Sequence, residues 1–260
     1  RAAIDSQKRA YTALATGEAA LPLRTPVTLP DQNAVTLFMP ARVGGDLGAK
    51  IVSVFPNNAA RGLPMIHGVV IMVSAETGQP IALIDATYLT ALRTGAASGA
   101  ATELLSRPDA RAAAIFGAGA QARTQLLAVC EARRIERAWI FDPNSDRVTA
   151  FIAKMQPLVG ATLAVAPSPA EAARDADVIC AATTSPTPVF DGRDLKPGAH
   201  VNAVGSYTLQ MQEIDSEVAR RAGKVFVDSR EAVLAETGDV VNPLKEGLIA
   251  EADLIEIGAV

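Results

Sequence analysis

The clearest chemistry in the chain lies in the run Gly117-Ala118-Gly119-Ala120-Gln121-Ala122. It follows the apolar run Ala112–Phe116 and precedes a helical pattern with Leu126, Leu127 and Cys130 on one face. Gly117 permits a tight turn, Gly119 lets the backbone approach a pyrophosphate, and Ala122 lets a helix lie close to its strand. The first helix amides, at Ala120 and Gln121, would then hold the anion. Asp142 ends the next apolar run, 20 residues beyond Ala122. A carboxylate there accepts hydrogen bonds from the adenosine ribose and repels a 2′-phosphate, which favours NAD. Arg147 leaves NADP open, and Asp142 could instead cap a helix within Asp142-Pro143-Asn144-Ser145.

Two cations stand in unusual company. Lys50 sits in the apolar run 49–54, and Arg93 sits among the small residues of 90–105. An isolated charge in such a setting is expensive without an anion. The ordinary alternatives are an edge-strand lysine and a surface arginine. A lysine whose titration is lowered by burial and a neighbouring arginine can also give up a proton near neutrality, so Lys50 is the candidate catalytic residue. His67, just before a strand, could relay a proton, although a structural histidine is the commoner case. His200 opens a strand and reads as structural. No carboxylate pair or histidine cluster has metal-ligand spacing, so no metal is expected.

The elements that must position these residues fall into two patterns. A helix is predicted over 4–15, ended by Gly17, followed by strands at 36–39, 49–54 and 69–73. Turn signals separate them at Gly44-Gly45-Asp46, Pro56-Asn57-Asn58 and Glu76-Thr77-Gly78. Consecutive strands with tight turns predict a mostly antiparallel or mixed sheet. A helix over 90–105 leads to a hinge at Arg107-Pro108-Asp109. Strands are then predicted at Ala112–Phe116, 138–142, 162–166, 177–182, 200–204 and 224–228, with helices over 120–134, 146–158 and 169–174. Strands alternating with helices predict a parallel, doubly wound sheet. The fold class is therefore α/β: a Rossmann dinucleotide-binding domain plus a smaller α+β domain.

The chain has 260 residues and a net charge of −4, from 24 basic and 28 acidic residues, which argues against a general nucleic-acid binder. No apolar run is long enough to span a bilayer, and no secretory signal opens the chain. Cys130 and Cys180 lie in apolar runs without metal spacing and read as buried free thiols in a reducing cytoplasm. Length and composition fit one large domain or two smaller ones.

Leu92-Arg93-Thr94-Gly95-Ala96-Ala97 ahead of the glycine-rich run resembles the ornithine cyclodeaminase/mu-crystallin family. Met39-Pro40-Ala41, Lys50, Arg61-Gly62-Leu63-Pro64 and Gly238-Asp239-Val240 extend the resemblance across nearly the whole chain, in order and spacing. It implies a substrate-binding and dimerisation domain over 1–107, a Rossmann domain over 108–245, and a return to the first domain from 246–260. It also implies a homodimer, and that parts of the first domain are missing at both ends. In that family two arginines and a lysine bind the substrate carboxylate, which by motif implies Arg24, Lys50 and Arg93. Arg93, Thr94, Thr183, Val204 and Ser206 join the glycine-rich run and Asp142 as implied cofactor residues.

One departure bears on the activity. Cyclodeaminases carry an aspartate where Asn202-Ala203-Val204-Gly205-Ser206-Tyr207 places Tyr207, a lysine where Met211 stands, and a glutamate where Leu37 stands. The resemblance therefore implies reduction of preformed cyclic imino acids such as Δ1-pyrroline-2-carboxylate or Δ1-piperideine-2-carboxylate, to proline or pipecolate. An alanine-type amino-acid dehydrogenase, ornithine cyclodeaminase itself and a non-catalytic nicotinamide-binding protein are the alternatives.

Overall fold

The computed structural model describes residues 1–58 and 60–260 and divides into two compact units. One is Arg9–Ala91; the other joins Arg1–Lys8 to Leu92–Val260. This division falls inside a helix, where the sequence suggests the hinge at 107, and it places 246–260 with the second unit.

Helix α1 (Ala2–Ala15) opens the chain and stops before Gly17, which turns at a φ of 77°. The Arg9–Ala91 unit then builds a six-stranded sheet from β1 (Ala19–Ala20), β2 (Thr25–Leu29), β3 (Ala34–Val43), β4 (Asp46–Val54), β5 (Ile66–Ser74) and β6 (Pro80–Asp85). All its pairings are antiparallel, in the order β1-β3-β4-β5-β6, with β2 also on β3. The two-residue turn Gly44-Gly45 joins β3 to β4, with Gly44 at a φ of 56°, as the twist of a tight hairpin demands. Strands β2 and β6 escape the sequence reading because Pro26 and Pro80 interrupt them. Both pair on one side only, where a missing N–H costs no ladder bond.

Helix α2 (Thr87–Leu105) leads into the second unit. There β7 (Ala112–Phe116), α3 (Ala120–Ala132), β8 (Arg137–Phe141), α4 (Ser145–Met155), β9 (Thr162–Val165), α5 (Pro169–Asp175), β10 (Val178–Ala181) and β11 (His200–Ala203) follow in turn. The strands form a parallel sheet in the order β11-β10-β7-β8-β9. Both faces are covered, so the central strands β7 and β10 are apolar throughout. Leu126, Val129, Val148, Phe151 and Met155 pack on one face, and Phe190, Leu195 and Val218 on the other. Small residues let α2 lie against α3: a side chain at Gly95 would run into the Thr124 backbone, and one at Gly99 would meet Ile4 at 2.7 Å.

The remainder is α6 (Ser216–Ala222), β12 (Val225–Val227), α7 (Arg230–Glu236), α8 (Gly238–Lys245) and β13 (Leu254–Glu256). The strand predicted at 224–228 exists, but it pairs with β13 in a separate two-stranded sheet and does not extend the main one. Its length of three residues suits a local pairing more than a sixth crossover strand.

At the amino end of β7 and β10 a single carboxylate gathers the chain. Asp177 accepts the Arg111 and Ala112 backbone N–H groups at 2.8 and 2.9 Å, Arg107 Nη2 at 2.6 Å and Lys196 Nζ at 2.7 Å. Burial opposes its charge, but Lys196 and the two amides outweigh that, and its carboxyl sits at about 2. Its folded value lies below its unfolded one. The stabilisation is therefore present above the unfolded carboxylate range and is lost as pH falls through about 2. Asp177→Ala should cost about 2 kcal/mol at neutral pH, because it strands two amides and takes the partner from the half-buried Lys196. Urea unfolding checks this, and a change within about 0.5 kcal/mol would show that the bracket carries no stability.

Candidate active site

Strand β7 delivers Phe116 to a turn that only glycine can make. Gly117 has a φ of 98°, its N–H donates to Phe141 O at 2.7 Å, and a Cβ there would lie 2.8 Å from Ala182 O. Gly119 is the N-cap of α3, and the space its missing side chain would fill is open. Ala122 is wholly buried under the sheet. The first turn of α3, at Ala120 and Gln121, thus presents amides that no carbonyl within the helix can accept, beside an open backbone at Gly119. Such an arrangement can hold an anionic group.

Asp142 follows β8 and is half-buried. Its Oδ2 accepts the Ala118 N–H at 3.1 Å and its Oδ1 accepts the Asn144 N–H at 2.9 Å. The cap of α4 is Asn144, whose side chain accepts the Arg147 N–H. Asp142 is therefore not a helix cap; it braces the glycine turn from the adjoining strand. Arg147 is exposed on α4.

Across the sheet, β10 and β11 end in the loops that carry Thr183, Val204 and Ser206. The Ser206 hydroxyl is engaged internally, donating to Met211 O at 2.9 Å and accepting from Thr237 Oγ1 at 2.8 Å. Beneath these loops lies a residue that motif reading does not mark. Glu213 is fully buried, with Oε1 on the Thr183 N–H and Oε2 on the Gly205 N–H at 2.7 Å. Asp239 holds it in place, accepting the Glu213 and Ile214 N–H groups at 2.6 and 3.0 Å. Burial pushes the Glu213 carboxyl up to about 7 against the pull of the Thr183 and Gly205 amides, with Asp239 adding to the rise. Tyr207, half-buried, follows on the same loop.

The Arg9–Ala91 unit carries Arg24 and Lys50. Lys50 lies on β4 between Met39 of β3 and Val70 of β5, so it is not an edge-strand lysine. Leu37, Val52 and Val54 share its sheet face, and all three are buried. Arg24 precedes Thr25, the first residue of β2, which pairs with Phe38. His67 belongs to the other face, in a row with Ser53 and Thr36, and is exposed. That position removes it from Lys50 chemistry. Arg93 and Thr94 lie on α2 in the second unit, Arg93 exposed and Thr94 buried.

His200 is structural. Burial lowers its ring to about 4, and Nε2 meets Asn202 Oδ1 at 3.1 Å, while Asn202 Nδ2 reaches Thr102 Oγ1 at 3.1 Å. Burial raises the free thiols of Cys130 and Cys180 to about 11 and 12, so neither is a nucleophile at neutral pH. Among the described residues no helix is long and apolar enough to cross a membrane.

Comparison with known proteins places this geometry. The model of the ornithine cyclodeaminase/mu-crystallin family matches residues 1–260. The chain is similar to a Δ1-pyrroline-2-carboxylate reductase of Bacillus cereus, 38% identical over 96% of this chain and 79% of the relative. It is also similar in structure to the Thermococcus litoralis Δ1-pyrroline-2-carboxylate reductase in complex with NADH and L-proline. The TM-score is 0.95 at 40% identity, covering 99% of this chain and 81% of that one. An archaeal alanine dehydrogenase dimer with bound NAD superimposes with a TM-score of 0.90 at 31% identity, over 99% of this chain and 79% of its own.

The position of Asp142 generates a prediction. NADH should bind more tightly than NADPH, and Asp142→Ala should narrow the gap while weakening NADH by about tenfold, since it also unties the Ala118 amide. Fluorescence titration of both nucleotides measures this; an NADPH preference in the unaltered protein would contradict it.

Proposed function

Because the chain belongs to the ornithine cyclodeaminase/mu-crystallin family, we propose that it is an NAD(P)H-dependent reductase of small cyclic imino acids, converting Δ1-pyrroline-2-carboxylate or Δ1-piperideine-2-carboxylate to L-proline or L-pipecolate. The observation that carries this reading is the likeness, at 40% identity and nearly full length, to a reductase bound to NADH and L-proline. Four relatives named as Δ1-pyrroline-2-carboxylate reductases, at 38–40% identity, support it.

The residues present fit the cofactor: a glycine cradle open at Gly119, a helix N-terminus behind it, and Asp142 at the ribose position. Bound NADH supplies the hydride that the imine carbon accepts. Gly117, Gly119, Ala120 and Gln121 hold the diphosphate, and Asp142 takes the adenosine ribose. Arg24 and Lys50 of the Arg9–Ala91 unit bind the substrate carboxylate, Arg through its planar fork and Lys as a point charge. Lys50, or a water that it holds, delivers the proton to the imine nitrogen. Protonation makes the neighbouring carbon electron-poor, and positioning accounts for much of the acceleration.

Tyr207, Met211 and Leu37 set the limit of the activity. Deaminating ornithine needs a carboxylate to hold the amino group and exchange its protons, and none of these three side chains carries one. Reduction of a preformed ring omits those steps. The alanine dehydrogenase likeness favours a second reading, reductive amination of a 2-oxo acid, which needs free ammonia.

We also propose a homodimer formed through the Arg9–Ala91 unit. Val27, Phe38 and Leu83 share the sheet face opposite Lys50, and they are 48%, 41% and 74% exposed in the single chain. An apolar face of that kind calls for a partner, and the archaeal neighbour is a dimer.

A single panel tests the activity: NADH oxidation with pyrroline-2-carboxylate, piperideine-2-carboxylate and pyruvate plus ammonia, beside ornithine with NAD. The cyclic imines should be reduced fastest and ornithine should release no ammonia; ammonia release at a comparable rate would overturn the reading of Tyr207. Lys50→Met should lower kcat/KM for the imine by roughly tenfold to a hundredfold and leave NADH affinity intact. Unchanged imine reduction in that variant would take Lys50 out of the mechanism. Sedimentation should give twice the mass of the chain, and a monomer would remove the dimer proposal.

A further inference from the structure

Glu213 has no part in the chemistry above, yet its burial is complete and both its oxygens are committed. A carboxylate taken wholly out of water is costly, so its retention needs a reason. Its two acceptors close on the equivalent backbone amides of two loops: Thr183, two residues past β10, and Gly205, two residues past β11. No side chain could intrude at Gly205, because a Cβ there would collide with Thr183 O and lie 2.5 Å from Glu213 Oε1. The two loops are thus clasped face to face through one side chain.

The sheet order says what those loops flank. The glycine turn leaves β7, and Asp142, at the adenosine ribose position, leaves β8 on one side of it. A dinucleotide lies across the carboxyl ends of the strands at the point where the order reverses, each half on one side. With the adenosine half over β8, the other nucleoside falls to β10 and β11, where the clasped loops stand. We propose that Glu213 is a positioning residue for the nicotinamide half of the cofactor, setting the spacing of the loops after β10 and β11. Asp239, through the Glu213 and Ile214 amides, and Thr237, through Ser206, tie the clasp to α8. This gives the Gly238-Asp239-Val240 motif a task beside the cofactor. The inference rests on the NADH-binding reading above.

Glu213→Gln keeps the shape but turns an N–H donor toward one of the two amides, so one tie is lost. ADP serves as the probe for the adenosine and diphosphate half, and NADH reports both halves. In Glu213→Gln the NADH dissociation constant should rise by about tenfold or more while that of ADP stays within about twofold. Glu213→Asp, which keeps the charge, should fall between. Equal weakening of NADH and ADP would mark a general structural role and overturn the proposal, as would NADH affinity at the unaltered level. If the unaltered protein binds no NADH at all, the cofactor reading itself fails; if it binds NADH and the variant matches it, only the present inference fails. Should Glu213→Gln not fold, hydrogen exchange on the unaltered protein decides. The Thr183 and Gly205 amides should exchange slowly without nucleotide and more slowly with NADH than with ADP. Exchange at the rate of open-loop amides, or no difference between the nucleotides, would overturn the proposal.

Discussion

A parallel sheet leaves backbone amides without ladder partners where its strands begin and end, and those ends are where this chain must be most exact in its geometry. Here the amides are met by carboxylates. Asp177 accepts two at the entry to β7, Asp142 accepts two at the crevice end of β8, and Glu213 accepts two beyond β10 and β11. Asp215 does the same for Gly192 and Val218, and Asp239 for Glu213 and Ile214. An ionised acceptor forms stronger bonds than a neutral one, and one side chain can span two segments distant in sequence. The glycine turn and the loops that flank it are held largely by these brackets.

The Arg9–Ala91 unit solves a different problem. An antiparallel sheet with one buried and one open face can place a cation on the buried side only if an anion will meet it. Lys50 lies on that side, on an interior strand beside Leu37, Val52 and Val54. Arg24 adjoins the same sheet, one residue before β2. The open face is apolar at Val27, Phe38 and Leu83.

Much of this was legible in the sequence where a local pattern had a local cause. The glycine turn and its flanking strand and helix fall where predicted, because φ above zero, an open backbone and close packing each select a residue type. The Lys50 run was visible as a charge among apolar residues. What stayed hidden depended on partners without a signature. Glu213 meets amides 30 and 8 residues away, and a backbone N–H looks the same at every position. Proline disguised β2 and β6, since a rule against central strands says little about edges. The strand at 225–227 was legible as a strand, but its pairing with 254–256 was set by tertiary contacts that periodicity does not encode.

In the proposed reaction a hydride passes directly to the carbon beside the substrate carboxylate. Turnover of Δ1-pyrroline-2-carboxylate with NADH deuterated at C4 measures this, followed by mass and NMR analysis of the product. The account predicts proline carrying a single deuterium at C2, from one face of the nicotinamide only. Proline without deuterium, or no proline at all in the presence of bound NADH, would contradict it.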